Sequence, residues 1–221
     1  MMAPLSNVEL NCPCCGGIYR SDILEPGTTP GPTTTDFFSM SAGEQPIHYQ
    51  VHTCPFCGYS FEEMEEGEIR DDVRRFVSEV ITPQLSGEEL PSWKKFEFLA
   101  LIDEVLGAGF YMVGMMYLHA AWCCYDLNYA DGEKYYRERA IYQFLRELES
   151  DTVDQDLVYL IPYLLAEQYR RTGQSEEARR WYDRVMELDD SHPDSGFFMT
   201  LAAQQKLDPK EYMGEIIHEE P

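Results

Sequence analysis

Two short segments of the chain carry the same arrangement of sulfur, proline and glycine: Cys12-Pro13-Cys14-Cys15-Gly16 and Cys54-Pro55-Phe56-Cys57-Gly58. Both read C-P-x-C-G. A two-residue gap lets both thiolates of one turn reach a single ion at about 2.3 Å. Proline restricts the turn after the first cysteine, and glycine permits a positive φ after the second. Backbone amides are then free to point at the sulfurs and stabilise them as thiolates. Two such turns bring Cys12, Cys15, Cys54 and Cys57 to one tetrahedral site. Four thiolates suit Zn²⁺, with a tetrathiolate iron centre as the alternative. Four protein ligands leave no open coordination position, so the expected zinc is structural rather than catalytic. Cys15 and Cys54 are separated by 38 residues. That exceeds the about 15–20 of the simplest two-turn signature, and a loop-rich insert takes up the difference.

The other sulfurs are read differently. Cys14 is the variable residue of the first turn and is expected to point away from the site toward solvent. Beside a metal-bound turn its pKa would fall. This gives the alternative function, a thiol-based redox or metal-sensing protein using Cys14 beside the zinc site, with Cys123 or Cys124 as an optional second thiol. The plainer reading makes Cys14 a tolerated variable position and Cys123-Cys124 a buried helical pair. His52 precedes Cys54 by two residues, but four cysteines already suffice. The five histidines are scattered, and His119 reads as a satisfied interior side chain. There is no Gly-rich phosphate loop, no G-x-S-x-G, no H-E-x-x-H and no tight His/Asp/Ser grouping. No catalytic residue and no organic cofactor are assigned, and the expected protein is not an enzyme.

These cysteines need elements to position them. Composition shifts near residue 62. Residues 1–61 carry Pro, Gly, Thr and five of the seven cysteines, and are expected to form a small zinc-ribbon-like β module. Short strands are expected around Val8 and Leu10, at Ile18, and through His48–Thr53. The stretch Gly27–Thr35, with two prolines, is expected to be a loop. Residues 62–221 read as a TPR-like α-helical repeat domain with an acidic C-terminal tail, so the fold class is mainly α. Ile69, Val73, Phe76, Val77, Val80 and Ile81 form one helical stripe ending near Pro83. Further helices are expected over 91–106, 109–127, 131–148 (capped by Asp131), 154–172 (with Pro162 inside), 176–188 and 194–207. Leu165, Tyr169, Gly173, Ala178 and Tyr182 match tetratricopeptide packing positions, and Trp122–Ile141 reads as a degenerate partner unit. Glu167 and Arg171, four apart, are expected to pair on the surface. Arg170, Arg179 and Arg180 form the densest basic cluster. The tail after Pro209 is expected to be poorly ordered.

The charge is strongly one-sided: 17 Lys and Arg against 40 Asp and Glu, a net −23. In residues 1–61, Arg20 stands alone against Glu9, Asp22, Glu25, Asp36 and Glu44. Nucleic-acid binding lacks the phosphate contacts it needs. A protein partner with a basic surface fits better, and the run Glu62–Glu68 is either a solvated linker or part of its attraction. Val105–Tyr125 is 21 residues without a charge, long enough for a membrane span. Gly107-Ala108-Gly109 and acidic flanks argue instead for the end of one helix and the start of another. Met1–Ser6 has no basic or apolar leader pattern, and metal-type cysteine spacing suits a reducing compartment. The expected location is the cytoplasm, with no membrane.

The combination resembles a family of uncharacterised bacterial and archaeal proteins, a domain of unknown function. Its members pair a double C-P-x-C-G zinc module with tetratricopeptide-like helices. Besides the two turns, the resemblance rests on Asp36-Phe37, Pro46-Ile47-His48-Tyr49, Gly58-Tyr59, Ala121-Trp122 and Tyr163–Gly173. The chain departs at Cys14, at Ala166 where glycine is usual, and in the Thr/Pro-rich insert. The resemblance implies the fold and the zinc ligands and supplies no reaction. The expectation is therefore a zinc-binding, non-catalytic scaffold or adaptor for protein–protein interaction.

Overall fold

The computed structural model describes residues 5–62, 68–150, 153–154, 157–188 and 193–216. Most of the Glu62–Glu68 run lies outside them. Among the described residues the chain is mainly helical, with three small antiparallel hairpins ahead of seven α-helices. The fold class read from the sequence holds.

β1 (Leu5–Asn11) pairs with β2 (Ile18–Leu24) across the first cysteine turn. β3 (Thr29–Thr33) pairs with β4 (Ser39–Ala42), and β5 (His52–Thr53) with β6 (Ser60–Phe61) across the second turn. Two of these elements differ from expectation. The Pro/Thr stretch is a strand, not a loop. In a two-stranded ribbon each strand keeps a free edge, where Pro30 and Pro32 lose no ladder bond, and the register shifts between Pro30 and Thr33. His48 and Tyr49 belong to a 3₁₀ turn, Pro46–Tyr49, opened by its proline. Only His52-Thr53 of that stretch is strand.

α1 (Asp71–Phe76) runs into a π-helical turn, Val77–Ile81, and a 3₁₀ turn, Thr82–Gln84. Val73, Val77 and Ile81 are buried along it, and Val80 is exposed. α2 (Ser92–Leu106) ends at Gly107 with φ +81°, the left-handed terminator glycine allows. α3 (Phe110–Asp126) follows, so the uncharged run is split between two helices. No described helix is long and apolar enough to cross a membrane. α4 (Ala130–Leu148) starts one residue before Asp131, which therefore lies in its first turn with Glu133, near the positive helix end, and is not the cap. α5 (Leu157–Arg171) carries Pro162 inside it, α6 (Ser175–Met186) follows Gly173, and α7 (Ser195–Leu207) follows Asp194.

Consecutive helices pack on one another from α2 to α7. Phe38, Ile47 and Val51 join the core of α2–α5, so the N-terminal segment contributes to the helical interior. The expected loose tail is tied back as far as Ile216. The Thr35 amide donates to the Glu211 carbonyl (3.0 Å), Thr34 bridges Tyr212, and Met213–Glu215 form a 3₁₀ turn.

Candidate metal centre

The two C-P-x-C-G segments adopt the same turn. In the first, the Cys12 amide donates to the Gly17 carbonyl (2.9 Å) and the Gly16 amide to the Cys12 carbonyl (2.8 Å). In the second, Cys54 donates to Tyr59 (2.9 Å) and Gly58 to Cys54 (2.8 Å). Gly16 and Gly58 both have positive φ, +75° and +81°. The amides of Cys14 and Cys15 approach the Cys12 sulfur, and those of Phe56 and Cys57 approach the Cys54 sulfur. Each turn thus aims N–H groups at its own thiolate.

The four sulfurs of Cys12, Cys15, Cys54 and Cys57 all lie within 4.8 Å of one another. Cys12 Sγ is 3.7 Å from Cys57 Sγ, and Cys15 Sγ is 3.7 Å from Cys54 Sγ. A regular tetrahedron with about 2.3 Å metal–sulfur bonds has edges of about 3.8 Å. The donor set therefore fits a tetrathiolate metal. Without a cation the sulfurs must share protons. Contacts from the Cys54 and Cys57 thiols lower Cys12, while Cys12 pushes Cys54 up to about 11 and Cys57 higher still. Four thiolates this close need a positive ion between them.

The site is seated on helices. Cys12, Cys54 and Cys57 share a buried cluster with Tyr19, Tyr59, Phe61, Val73, Val77, Ile81, Phe98 and Ile102. Arg74 of α1 donates to the carbonyls of Cys14 and Pro13, the latter at 3.1 Å. Thr82 Oγ1 donates to the Cys57 carbonyl at 2.8 Å. Arg74 lays the first turn against α1, and this corrects the expectation for Cys14. Cys14 is buried beside Cys57, and Cys15 is the exposed sulfur. Cys123 and Cys124 are fully buried, and burial pushes both thiols up to about 12. The Cys14 thiol is lowered as expected, through its contact with Cys57, but the burial of all three and the raised Cys123 and Cys124 give thiol sensing no support. His52 is not a ligand here: its Nδ1 meets Ser21 Oγ at 2.7 Å.

The two glycines make a discriminating pair. A Cβ on Gly58 would sit 2.5 Å from Ile81 Cγ2, whereas Gly16 has nothing within 4 Å. Gly16→Ala should cost about 1–2 kcal/mol for the left-handed backbone alone. Gly58→Ala should cost about 2–5 kcal/mol, because overpacking is added. Urea unfolding of the two variants reads the difference directly.

A family profile described as uncharacterised protein conserved in bacteria, DUF2225, matches residues 5–206. The chain belongs to the DUF2225 family. Comparison with curated proteins and with solved structures finds no match.

A second junction in this DUF2225 chain was not anticipated as a site. The tip of the β3–β4 hairpin inserts Thr34–Phe38 among α3, α4 and α5. Asp36 is fully buried. Its Oδ2 accepts from Trp122 Nε1 (2.9 Å) and Arg137 Nη1 (2.7 Å), its Oδ1 accepts from Thr34 Oγ1 (2.6 Å), and Arg171 Nη2 lies 3.1 Å from Oδ1. Burial raises its pKa, but Arg171, Arg137 and the Thr34 hydroxyl outweigh this and hold the carboxyl well below the usual range. Next to it, Glu167 Oε2 accepts from Thr35 Oγ1 (2.6 Å) and Arg170 Nη2 (2.8 Å), and Oε1 from Gln205 Nε2 (2.9 Å). Glu167 and Arg171 are therefore not the surface pair expected. Both are buried, 3.9 Å apart, because α5 lies under the hairpin tip. The basic cluster is likewise divided: Arg170 turns in to Glu167, and Arg180 pairs on the surface with Glu177. His119 is interior, packed on Phe96 and Trp122, and burial lowers it to about 4. Its Nδ1 has no protein partner among the described residues, so it is not the satisfied histidine expected.

Proposed function

We propose that this DUF2225 protein is a zinc-stabilised scaffold. Cys12, Cys15, Cys54 and Cys57 hold one Zn²⁺ in a structural, non-catalytic role. The observation that carries this is the spacing of the four sulfurs, whose closest pairs lie at a tetrathiolate edge length. The ion would fasten two hairpins to α1 and α2 through the shared cluster. Elemental analysis of the purified chain should find one zinc per molecule. Cobalt substitution should give the visible bands of tetrahedral thiolate coordination. A metal-free preparation that remains folded, or octahedral cobalt bands, would count against the reading.

The adaptor reading rests on the helical hairpin. Ala178 and Tyr182 of α6 are buried against Tyr163 and Ala166 of α5, Tyr169 packs beside them, and Gly173 turns the chain at φ +81°, whereas Leu165 faces the core shared with α2–α4. Tyr169, Gly173, Ala178 and Tyr182 thus sit as tetratricopeptide packing positions would, which supports the reading. The net charge of −23 favours a protein partner with a basic surface. Affinity capture from the host, repeated in raised salt, checks the proposal: the specific partner should be basic and should be lost as salt screens the attraction.

A further inference from the structure

Away from the metal, one other group of side chains is arranged for chemistry. His48 lies in the 3₁₀ turn Pro46–Tyr49, Ser92 opens α2, and Asp126 closes α3. Ser92 Oγ is 2.7 Å from His48 Nδ1, and His48 Nε2 is 2.9 Å from Asp126 Oδ2. A carboxylate only accepts, so Nε2 carries the proton of the neutral ring. Nδ1 then presents its lone pair to the Ser92 hydroxyl. This is the order nucleophile, base, orienting carboxylate, with the two ring nitrogens exchanged relative to the commonest arrangement.

The setting supports the chemistry. Ser92 and His48 border an open cleft of about 720 Å³, walled also by Arg20, Tyr49, Glu89 and Lys95. The His48 and Asp126 side chains are 17% and 18% exposed, enough to meet a ligand yet held by their neighbours. Ser92 stands at the positive end of a 15-residue helix. The Lys94 and Lys95 amides already donate to the Pro91 carbonyl, which leaves the Ser92 and Trp93 amides at the helix start to face charge developing on a carbonyl oxygen. The Cys123 thiol, which contacts Ser92, is kept neutral by burial and is no rival nucleophile.

We propose that Ser92, His48 and Asp126 form an acyl-transfer site that hydrolyses a small polar carboxylic ester. Ser92 Oγ attacks the carbonyl carbon as its proton passes to His48 Nδ1. The ester C–O bond breaks, the alkoxide leaves with that proton, and an acyl-serine remains. A water molecule then gives one proton to Nδ1 and adds its oxygen to the acyl carbon. The acid leaves as the proton returns to Ser92. The sum is ester plus water to acid plus alcohol. Asp126 is a positioning residue that fixes the ring tautomer. Asp22, Glu44, Glu88 and Glu89 against Arg20 and Lys95 on the cleft wall argue for a short polar, uncharged or cationic substrate over a long acyl chain. This reading is separate from the scaffold, since no metal ligand takes part.

The test uses the full zinc-loaded chain. A fluorophosphonate probe should add one phosphonyl group, mapped by peptide mass to Ser92. Hydrolysis of 4-nitrophenyl acetate should exceed the solvent rate and fall at least about 100-fold in Ser92→Ala and His48→Gln. Asp126→Asn offers an amide N–H to Nε2, favours the wrong tautomer, and should slow labelling with the melting midpoint nearly kept. Asp126→Glu should restore part of the rate. No adduct on Ser92 in the folded wild-type chain overturns the proposal and makes the three residues a structural pin. So does undiminished hydrolysis by Ser92→Ala. Labelling is read on the unaltered protein, so a variant that fails to fold does not spoil the test.

Discussion

Serine in place of both Cys54 and Cys57 should unfold the metal end of the molecule, and a strong metal chelator should do the same to the unaltered chain. Structural zinc in small modules is worth about 10–16 kcal/mol in apparent binding free energy. Whole domains are stable by only about 5–15 kcal/mol. Loss of the ion therefore removes most of the stability at that end. The two cysteine-bearing hairpins have little apolar area of their own, and what they bury lies against α1 and α2. Limited proteolysis should cut first within residues 5–62, and the melting transition should drop sharply or split. Cys14→Ser is the control, expected to cost about 1 kcal/mol, because Cys14 is buried beside the cluster but outside the four. An unfolding curve indifferent to chelator would refute the structural role.

Asp36→Ala should destabilise the chain by about 3–5 kcal/mol, because it removes the fully buried carboxylate that two buried arginines share. Arg137 and Arg171 are 1% and 5% exposed at the side chain, and Asp36 is the carboxylate they share. Asp36→Asn keeps the shape and should cost less. The folded pKa of Asp36 is depressed, so its contribution is fully present above the unfolded value of about 3.9. It is lost as pH falls below that value toward the folded pKa. The stability gap between wild type and Asp36→Asn should be flat from about pH 5 to 8 and then shrink by up to about 1.4 kcal/mol per pH unit. Urea unfolding at pH 3, 5 and 7 measures it. A gap unchanged at pH 3 would show that the carboxylate is not held by the two arginines.

Much of this was legible from the residues. The repeated C-P-x-C-G turns fixed which four sulfurs meet, because a local turn needs nothing from the rest of the chain. Helices α2, α3 and α7 were readable from period, proline and glycine. The buried polar contacts were not. Glu167 and Arg171 have ordinary surface spacing, and they are buried by partners distant in the chain, Thr35 and Asp36 foremost, with Gln205 beside them. His48, Ser92 and Asp126 are likewise scattered in the chain, and no local pattern joins them. Each was read for another purpose: a strand, a helix start, an acidic flank. Cys14 was misjudged because its burial depends on Arg74, sixty residues on.

The hairpin tip has a consequence for how the protein is made. Thr35 bonds Glu167, 132 residues later, and its amide meets Glu211. A ribosome adds residues one by one, so Asp36 emerges long before Arg137 and Arg171 exist. The nascent chain must carry an uncovered carboxylate and two bare phenylalanines until translation is nearly done. Closure is therefore a late, long-range event, slow by the usual cost of joining distant segments. Prematurely terminated fragments should be the species that chaperones and proteases meet.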